Sequence, residues 1–397
     1  ILLVDRDEVI RERLARGEPP FFEPGLETMI RGNRSRLETT GDLAGAVGRS
    51  AMTFLCVGTP SNGVGEADLS AVRAASAAIG AALADLSSPH TVVVKSTVPP
   101  GTTANVVRPA VETGAGRSAA DGLSVVMNPE FLREGAAVRD FFLPDRIVLG
   151  ADDPVGAEAL EALYRPFSCP RVQCDTATAE MVKYASNAFL AVRISCANEI
   201  GNLCKPLGID THEVLGAVGL DDRIGPRFLG AGLGFGGSCF PKDVRALIAL
   251  AGAIGREARL LSAALDVNDR QPDALLDLLE ARIGIAGRRI GVLGLAFKPG
   301  TDDIRESRAI PVVQGLVDRG ARVLAYDPMA SDRFRQIHPG IGYAESAADV
   351  VSGTDATVIV TEWPEFEELD YTGRTVFDGR RCRRAEKTAS VYEGICW

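Results

Sequence analysis

The sequence predicts an α/β protein with two doubly wound domains joined by a long helical region. Three observations carry this. Short apolar β-type runs alternate with alanine-rich helical patterns over residues 1–175. Residues 176–283 read as mainly helical, and the alternation resumes over residues 284–397. Alternation of this kind implies mostly parallel sheets with helices on both faces.

The first element, Ile1-Leu2-Leu3-Val4-Asp5, is an apolar strand ending in an acid. In a dinucleotide-binding βαβ unit this is the second strand, and its acid bonds the adenosine ribose. The same pattern also fits a surface strand that merely ends in Asp5. A first strand, a glycine fingerprint and a helix, roughly 25–30 residues, would precede it in such a unit. The chain opens without an initiator methionine, so an N-terminal truncation is expected, with an exposed sheet edge where the central strand would lie. Met52–Val57, Thr91–Lys95, Leu123–Met127 and Arg146–Leu149 follow as strands, and Leu69–Leu86 as a helix. Thr59-Pro60 and Ser96–Gly101 follow strand C-termini, the edge at which open α/β sheets bind ligands.

In the middle, Ala177 to Leu203 carries apolar residues at helical spacing with few breakers. Lys183 and Asn187 are four apart and so share one face. Small residues along this helix also suit core or dimer packing. Leu207 to Val218 and Val244 to Asp266 continue the helical signal. In the last third, Arg289–Leu293, Arg322–Tyr326, Thr357–Val360 and Thr375–Phe377 read as strands and Ile310–Arg319 as a helix. Gly291-Val292-Leu293-Gly294 is a weak nucleotide fingerprint on its own.

Hydrophobic residues at 46% and charged residues at 24% are ordinary for a globular protein. A net charge of −10 argues against nucleic-acid or anionic-membrane binding. No apolar run is long enough to span a bilayer. Eight cysteines without paired ligand spacing, and only three histidines, argue against a zinc site and for a reducing, cytoplasmic compartment.

The densest chemical signal is Gly232-Leu233-Gly234-Phe235-Gly236-Gly237-Ser238-Cys239-Phe240-Pro241-Lys242-Asp243. Glycines let the backbone approach a ligand, and Pro241 suits the first turn of a helix. That places Cys239 at a helix N-terminus beside Lys242, an environment that favours a nucleophilic thiolate. A glycine-rich turn around a packed thiol has the same local spacing.

These pieces, with Phe22-Glu23-Pro24-Gly25-Leu26, Val57-Gly58-Thr59-Pro60, Lys95-Ser96-Thr97-Val98-Pro99, Asn128–Gly135 and Phe297–Ser307, resemble the nucleotide-sugar dehydrogenases of the UDP-glucose/GDP-mannose dehydrogenase family. The resemblance runs from Asp5 to Gly394. It implies an NAD-binding Rossmann-like domain over 1–175, a central helical and dimerisation domain with the catalytic cysteine loop over 176–283, and a Rossmann-like UDP-sugar domain over 284–397. It implies NAD as cofactor, UDP-glucose as substrate, a homodimer, and two oxidations that take the sugar C6 alcohol to a carboxylate. Cys239 would be the nucleophile, passing through a thiohemiacetal and a thioester. Lys183 and Asn187 would steady the oxyanion, while Asp243 and Thr97 order a water. Glu130 would serve substrate binding and acid–base work, and Glu134 would lie near the nicotinamide. If their segment were helical, these two glutamates would face the same way.

The resemblance further implies cofactor contacts from Asp5, Thr59, Thr97, Glu134, Lys242 and Arg305. Substrate contacts are implied for Glu130, Phe131, Leu132, Arg133, Glu134, Lys183 and Asn187, for Phe228, Leu229, Gly230, Ala231, Gly232 and Gly236, and for Lys298, with Arg223 reaching a neighbouring subunit's substrate. Relatives oxidise GDP-mannose or UDP-N-acetyl-hexosamines, but Asn128–Gly135 followed by Pro144–Val148 looks most like the UDP-glucose group. There are departures. No glycine-rich phosphate loop precedes Asp5, and Ile10 stands where relatives often carry a lysine, with Arg6 and Arg11 as the nearby cations. The chain as written is therefore expected to be a poor enzyme. A non-catalytic nucleotide-sugar binder and a one-step alcohol dehydrogenase are the competing readings.

Overall fold

Runs of β-branched residues fold into three sheets in a computed structural model that describes residues 1–397. The chain divides into two compact units. One comprises residues 1–186 with 245–254, the other residues 187–244 with 255–397.

In the first unit, β1 (Leu2–Val4) and β2 (Glu38–Thr40) form a parallel pair, with Leu2 opposite Glu38. A separate sheet runs β3 (Met52–Leu55), β4 (His90–Val94), β5 (Leu123–Met127), β6 (Ile147–Gly150), β7 (Arg171–Cys174) in spatial order. β3, β4 and β5 are mutually parallel, β6 meets β5 antiparallel, and β7 lies parallel to β6. β4 and β5 are buried along their whole length, which is why they read as unbroken valine-rich runs rather than alternating ones. Alternate residues still serve opposite faces. Val92, Val94, Val125 and Met127 pack with Val72, Ile79 and Leu83 of the helix Ser70–Leu83. Val93 and Val126 pack with Leu160 and Tyr164 of the helix Pro154–Tyr164.

The second unit carries a six-stranded, all-parallel sheet made of β8 (Arg289–Leu293), β9 (Arg322–Tyr326), β10 (Gly342–Tyr343), β11 (Ala356–Ile359), β12 (Thr375–Asp378) and β13 (Val391–Gly394). Its order is β10-β9-β8-β11-β12-β13, so the winding reverses between β8 and β11. The helices Ala309–Asp318 and Arg259–Ile283 cover it through Val312, Val313, Leu316, Leu275, Leu276 and Leu279. The two α/β sheets expected from the sequence are present, though β1 pairs with β2 apart from the five-stranded sheet. The strands that were read match to within about two residues, while β2, β7, β10 and β13 were not read.

The helical middle differs from expectation in its breaks. One helix spans Thr176–Leu207, 32 residues, and its residues belong to the first unit up to Ser186 and to the second from Asn187. It does not run on to Val218. Gly208 turns left-handed at φ +68°, and Asp210 starts a new helix, Thr211–Val218, by accepting from His212 N. Likewise Val244–Asp266 is not one helix. Phe240–Ala253 ends before Gly255 at φ +70°, and Arg259–Ile283 follows. A residue at positive φ stops a helix cheaply only when it is glycine. The condition attached to Glu130 and Glu134 also fails, because residues 128–136 are irregular and turn, with the helix Ala137–Phe142 beginning after them. No helix is long and apolar enough to cross a membrane.

Candidate functional site

Parallel strands deliver their C-terminal residues to one edge, and the first unit uses that edge. Asp5 follows β1. Its Oδ1 accepts from Asp7 N at 2.8 Å, and Arg11 Nη1 donates to its carbonyl at 2.7 Å. Its second carboxylate oxygen has no protein donor. Beyond β3 and β4, Thr59 Oγ1 donates to the Thr97 carbonyl at 2.7 Å and Ser96 Oγ to the Val57 carbonyl at 2.7 Å. These bonds stitch the two loops together.

Glu180 on the 32-residue helix is fully buried and accepts from Gly101 N, Thr103 N and Thr103 Oγ1 at 2.5–2.7 Å. Burial pushes its carboxyl above the usual range, and these bonds oppose the shift. One turn on, Lys183 is 4% exposed and its Nζ donates to Glu130 Oε1 at 2.8 Å. A lysine this buried needs such a partner. Glu130 Oε2 accepts from Leu132 N at 2.6 Å. The Phe131 ring lies 3.8 Å from the Arg146 guanidinium and 5.5 Å from Lys183 Nζ. Arg133 forms a two-pronged pair with Asp140, and Leu132 is exposed. Glu134 sits in the following turn. Buried Glu23 accepts from Gly135 N and Ala137 N, both at 2.8 Å, which joins the Phe22–Leu26 motif to the Asn128–Gly135 segment.

The second unit builds its own constellation around Cys239. The thiol is exposed, and the residue directly precedes the helix Phe240–Ala253. Asp243, 1% exposed, lies one turn into that helix and donates its N–H to the Cys239 carbonyl. Its carboxylate accepts from Asn187 Nδ2 and from Lys242 Nζ, each at 2.6 Å. Lys242, expected beside Cys239, therefore gives its ammonium to Asp243.

The loop before Cys239 is held by amides. Gly232 N donates to Asn198 Oδ1 at 2.8 Å, and Gln271 Nε2 donates to the Gly232 carbonyl at 2.6 Å. Asn268 grips Phe235 twice, accepting from its N–H at 2.7 Å and donating to its carbonyl at 3.1 Å. Gly234 has φ +87°, and a Cβ there would sit 2.3 Å from Asn268 Oδ1. A Cβ on Gly236 would sit 2.2 Å from the Glu306 carbonyl. Only glycine fits either place.

Upstream, Phe228 is itself left-handed at φ +61°, and its ring centroid is 6.4 Å from that of Phe240. Leu229 is half-buried, Gly230 exposed and Ala231 buried. Lys298 Nζ lies 5.4 Å from the Phe297 ring centroid. Arg305 pairs with Asp303, and exposed Arg223 pairs with Asp221.

The structure thus joins Lys183 to Glu130, Thr59 to Thr97, and Asn187 and Lys242 to Asp243. Glu23, Glu180, Asn198, Asn268 and Gln271 were not singled out as site residues from the sequence. Asn268 and Gln271 did leave a signal, since two amides three apart interrupt an otherwise apolar helical stripe.

Three domain families match in order along the chain. They are the NAD binding domain of the UDP-glucose/GDP-mannose dehydrogenase family over residues 1–168, its central domain over 177–270 and its UDP binding domain over 291–385. The UDP-glucose 6-dehydrogenase AglM of Haloferax volcanii is 50% identical over 392 residues, covering 96% of this chain and 91% of its own. A UDP-glucose 6-dehydrogenase of Rhizobium meliloti is 46% identical over 381 residues, covering 94% and 86%. Among solved structures, a UDP-glucose dehydrogenase from the hyperthermophilic archaeon Pyrobaculum islandicum superposes with a TM-score of 0.96 at 46% identity, covering 100% of this chain and 92% of that one. A UDP-D-ManNAc dehydrogenase from Pyrococcus horikoshii gives 0.87 at 27% identity, covering 99% and 93%.

Proposed function

Because the chain belongs to the UDP-glucose/GDP-mannose dehydrogenase family, and is thus an NAD-dependent oxidoreductase, we propose that it oxidises UDP-glucose to UDP-glucuronate in two steps through Cys239. One observation carries the reading. An exposed thiol heads a helix whose first turn holds a buried carboxylate, itself oriented by Asn187 and Lys242. A one-step alcohol dehydrogenase has no use for that thiol. The choice of UDP-glucose rests on the relatives, since UDP-glucose enzymes reach 50% identity and the UDP-D-ManNAc enzyme 27%.

The residues fit NAD where the free oxygen of Asp5 ends β1, an acceptor placed for a ribose hydroxyl. Thr59, Thr97, Glu134, Lys242 and Arg305 are the other proposed cofactor contacts. When bound, NAD supplies the hydride acceptor for each oxidation. The protein residues do the rest. Thr97 and Asp243 order the water for proton transfer, and Glu130 gives and takes protons around the sugar. Lys183 and Asn187, one turn apart on the same helix, hold the C6 oxygen as negative charge grows on it. Cys239 Sγ bonds to the aldehyde carbon, and the oxygen takes up a proton to give a thiohemiacetal. The second oxidation removes that hydroxyl proton and a hydride, leaving a thioester. Water then adds to the carbonyl carbon, the C–S bond breaks, and the carboxylate leaves as the thiol is restored.

Phe131, Leu132, Arg133, Phe228–Gly232, Gly236 and Lys298 are proposed to enclose the sugar and diphosphate, with Arg223 serving a neighbouring subunit in a homodimer. Domain limits of 1–175, 176–283 and 284–397 accompany this reading. Eight free cysteines accord with a reducing cytoplasm.

The test is the NADH formed per UDP-glucose consumed. A ratio near two is expected, and the Cys239→Ala chain should form no uronate. A ratio near one, with free aldehyde released, overturns the covalent route. No NADH from a sample that still binds UDP-glucose leaves a nucleotide-sugar binder.

A further inference from the structure

We propose that Lys95 is a positioning residue for the Glu130 carboxylate, acting through Asn128; this rests on the role assigned to Glu130 above. Lys95 directly follows β4, and its Nζ donates to Asn128 Oδ1 at 2.7 Å and approaches Tyr164 Oη at 3.5 Å. Tyr164 Oη donates to the same Asn128 oxygen at 2.5 Å. The asparagine is fully buried. Its Nδ2 donates to the Val148 carbonyl at 2.8 Å, and its backbone N–H donates to the Val94 carbonyl at 2.9 Å. All its polar atoms on that side are therefore assigned, and it cannot rotate without leaving one unpaired.

Only Pro129 separates Asn128 from Glu130. Proline fixes its own φ and restricts the residue before it. The glutamate is thus aimed by a short, stiff connection whose far end is a buried ammonium. A structural bond alone could have come from a neutral donor, as Tyr164 shows. The charge adds something the hydroxyl cannot, because Lys95 also feels the Glu130 carboxylate through space while Lys183 bonds it directly.

The groups facing Lys95 are Cys56 beyond β3, Tyr164 on the helix Pro154–Tyr164, Glu130 beyond β5, and Lys183 on the 32-residue helix. Burial, with Lys183 adding to it, lowers the Lys95 ammonium to about 8 against the opposing pull of Glu130 and Cys56. Burial raises the Cys56 thiol and takes the Tyr164 hydroxyl up to about 12, so Lys95 loses its charge at a lower pH than either of these two neighbours gains one. Below that pH the charge and the bond to Asn128 are both in place. Above it the nitrogen can still hydrogen-bond, but the charge beside Glu130 is gone.

The experiment uses the full chain with UDP-glucose and NAD, comparing Lys95→Met, Lys95→Arg and Glu130→Gln across pH 6–10. Lys95→Met should lower kcat about tenfold or more and change the sugar KM less than about threefold. Lys95→Arg keeps the charge at every pH, so it should recover most of the kcat and remove the decline of the parent chain above about pH 8. If Lys95→Met fails to fold, the alkaline limb of Lys95→Arg carries the test. Unchanged kcat in Lys95→Met, or the same alkaline limb in Lys95→Arg and the parent chain, overturns the assignment. Loss of kcat in Glu130→Gln with neither Lys95 variant affected overturns the Lys95 assignment alone. Full activity in Glu130→Gln overturns both.

Discussion

Asn268 shows what a single amide does for a reactive loop. Its two bonds to Phe235 replace a strand partner for a segment too rich in glycine to join a sheet. Asn268→Ala leaves a buried N–H and a buried carbonyl unpaired, each costing about 1–3 kcal/mol. Urea unfolding should show a loss of about 2–4 kcal/mol, and kcat should fall further than substrate affinity. Gly234→Ala is expected to be at least as damaging, because φ +87° and a 2.3 Å approach to Asn268 Oδ1 both exclude a Cβ. Differential scanning calorimetry of the two variants checks the order. The sequence made the glycines legible, since their clustering advertises close approach. It left their partners hidden, because an asparagine 34 residues downstream of Gly234 meets the loop only through the tertiary fold.

An aspartate directly follows each of β1 and β9, and packing separates their uses. Asp327, after β9, is 3% exposed and accepts from Leu295 N, Ala296 N, Met329 N, Ala330 N and Trp363 Nε1. Asp5 keeps one oxygen open. A ribose hydroxyl could therefore be accepted after β1 but not after β9 without breaking protein bonds. Asp5→Ala should raise the NAD KM about tenfold and spare the sugar KM, whereas Asp327→Ala should lower stability. Strand positions were readable because β4 and β5 are valine-rich and buried throughout and β8 nearly so. The break at Gly255 was not, because apolar residues continue at helical spacing across the glycine and the left-handed φ marks the stop.

The capped helix Thr211–Val218 carries a pH dependence of its own. His212 stacks edge-on against Trp397 at 4.7 Å with its Nε2 buried and unpartnered, and burial, with Arg381 adding to it, lowers its proton affinity to about 4. Folded His212 is then neutral where the unfolded ring, titrating near 6.5, takes a proton. Stability from this group is complete above about pH 6.5 and is lost as the pH falls toward 4. Thermal midpoints measured across that window should decline, and His212→Gln should flatten the decline.

Across the molecule, one exposed apolar stripe lies on the 32-residue helix. Phe189 is 74% exposed, Leu203 64% and Leu207 71%, with exposed Cys196 midway between the first two. The seven-residue spacing of 189, 196 and 203 puts them on one face. An apolar stripe of this kind, on a chain proposed to dimerise, is expected to meet its own copy. Light scattering should give twice the 42.0 kDa chain mass, and Phe189→Glu should shift it toward the single-chain value. UDP should also compete with the sugar nucleotide more strongly than GDP.

The amide cradle under the Cys239 loop has one more consequence. Asn198, Asn268 and Gln271 cannot gain or lose a proton, so the bonds they make to Gly232 and Phe235 are the same at pH 5 and at pH 10. The mounting of the nucleophile is thereby insulated from the titrations around it. Inflections in a pH–rate profile of this chain should then report the reacting groups and their charged neighbours, not a loop coming loose.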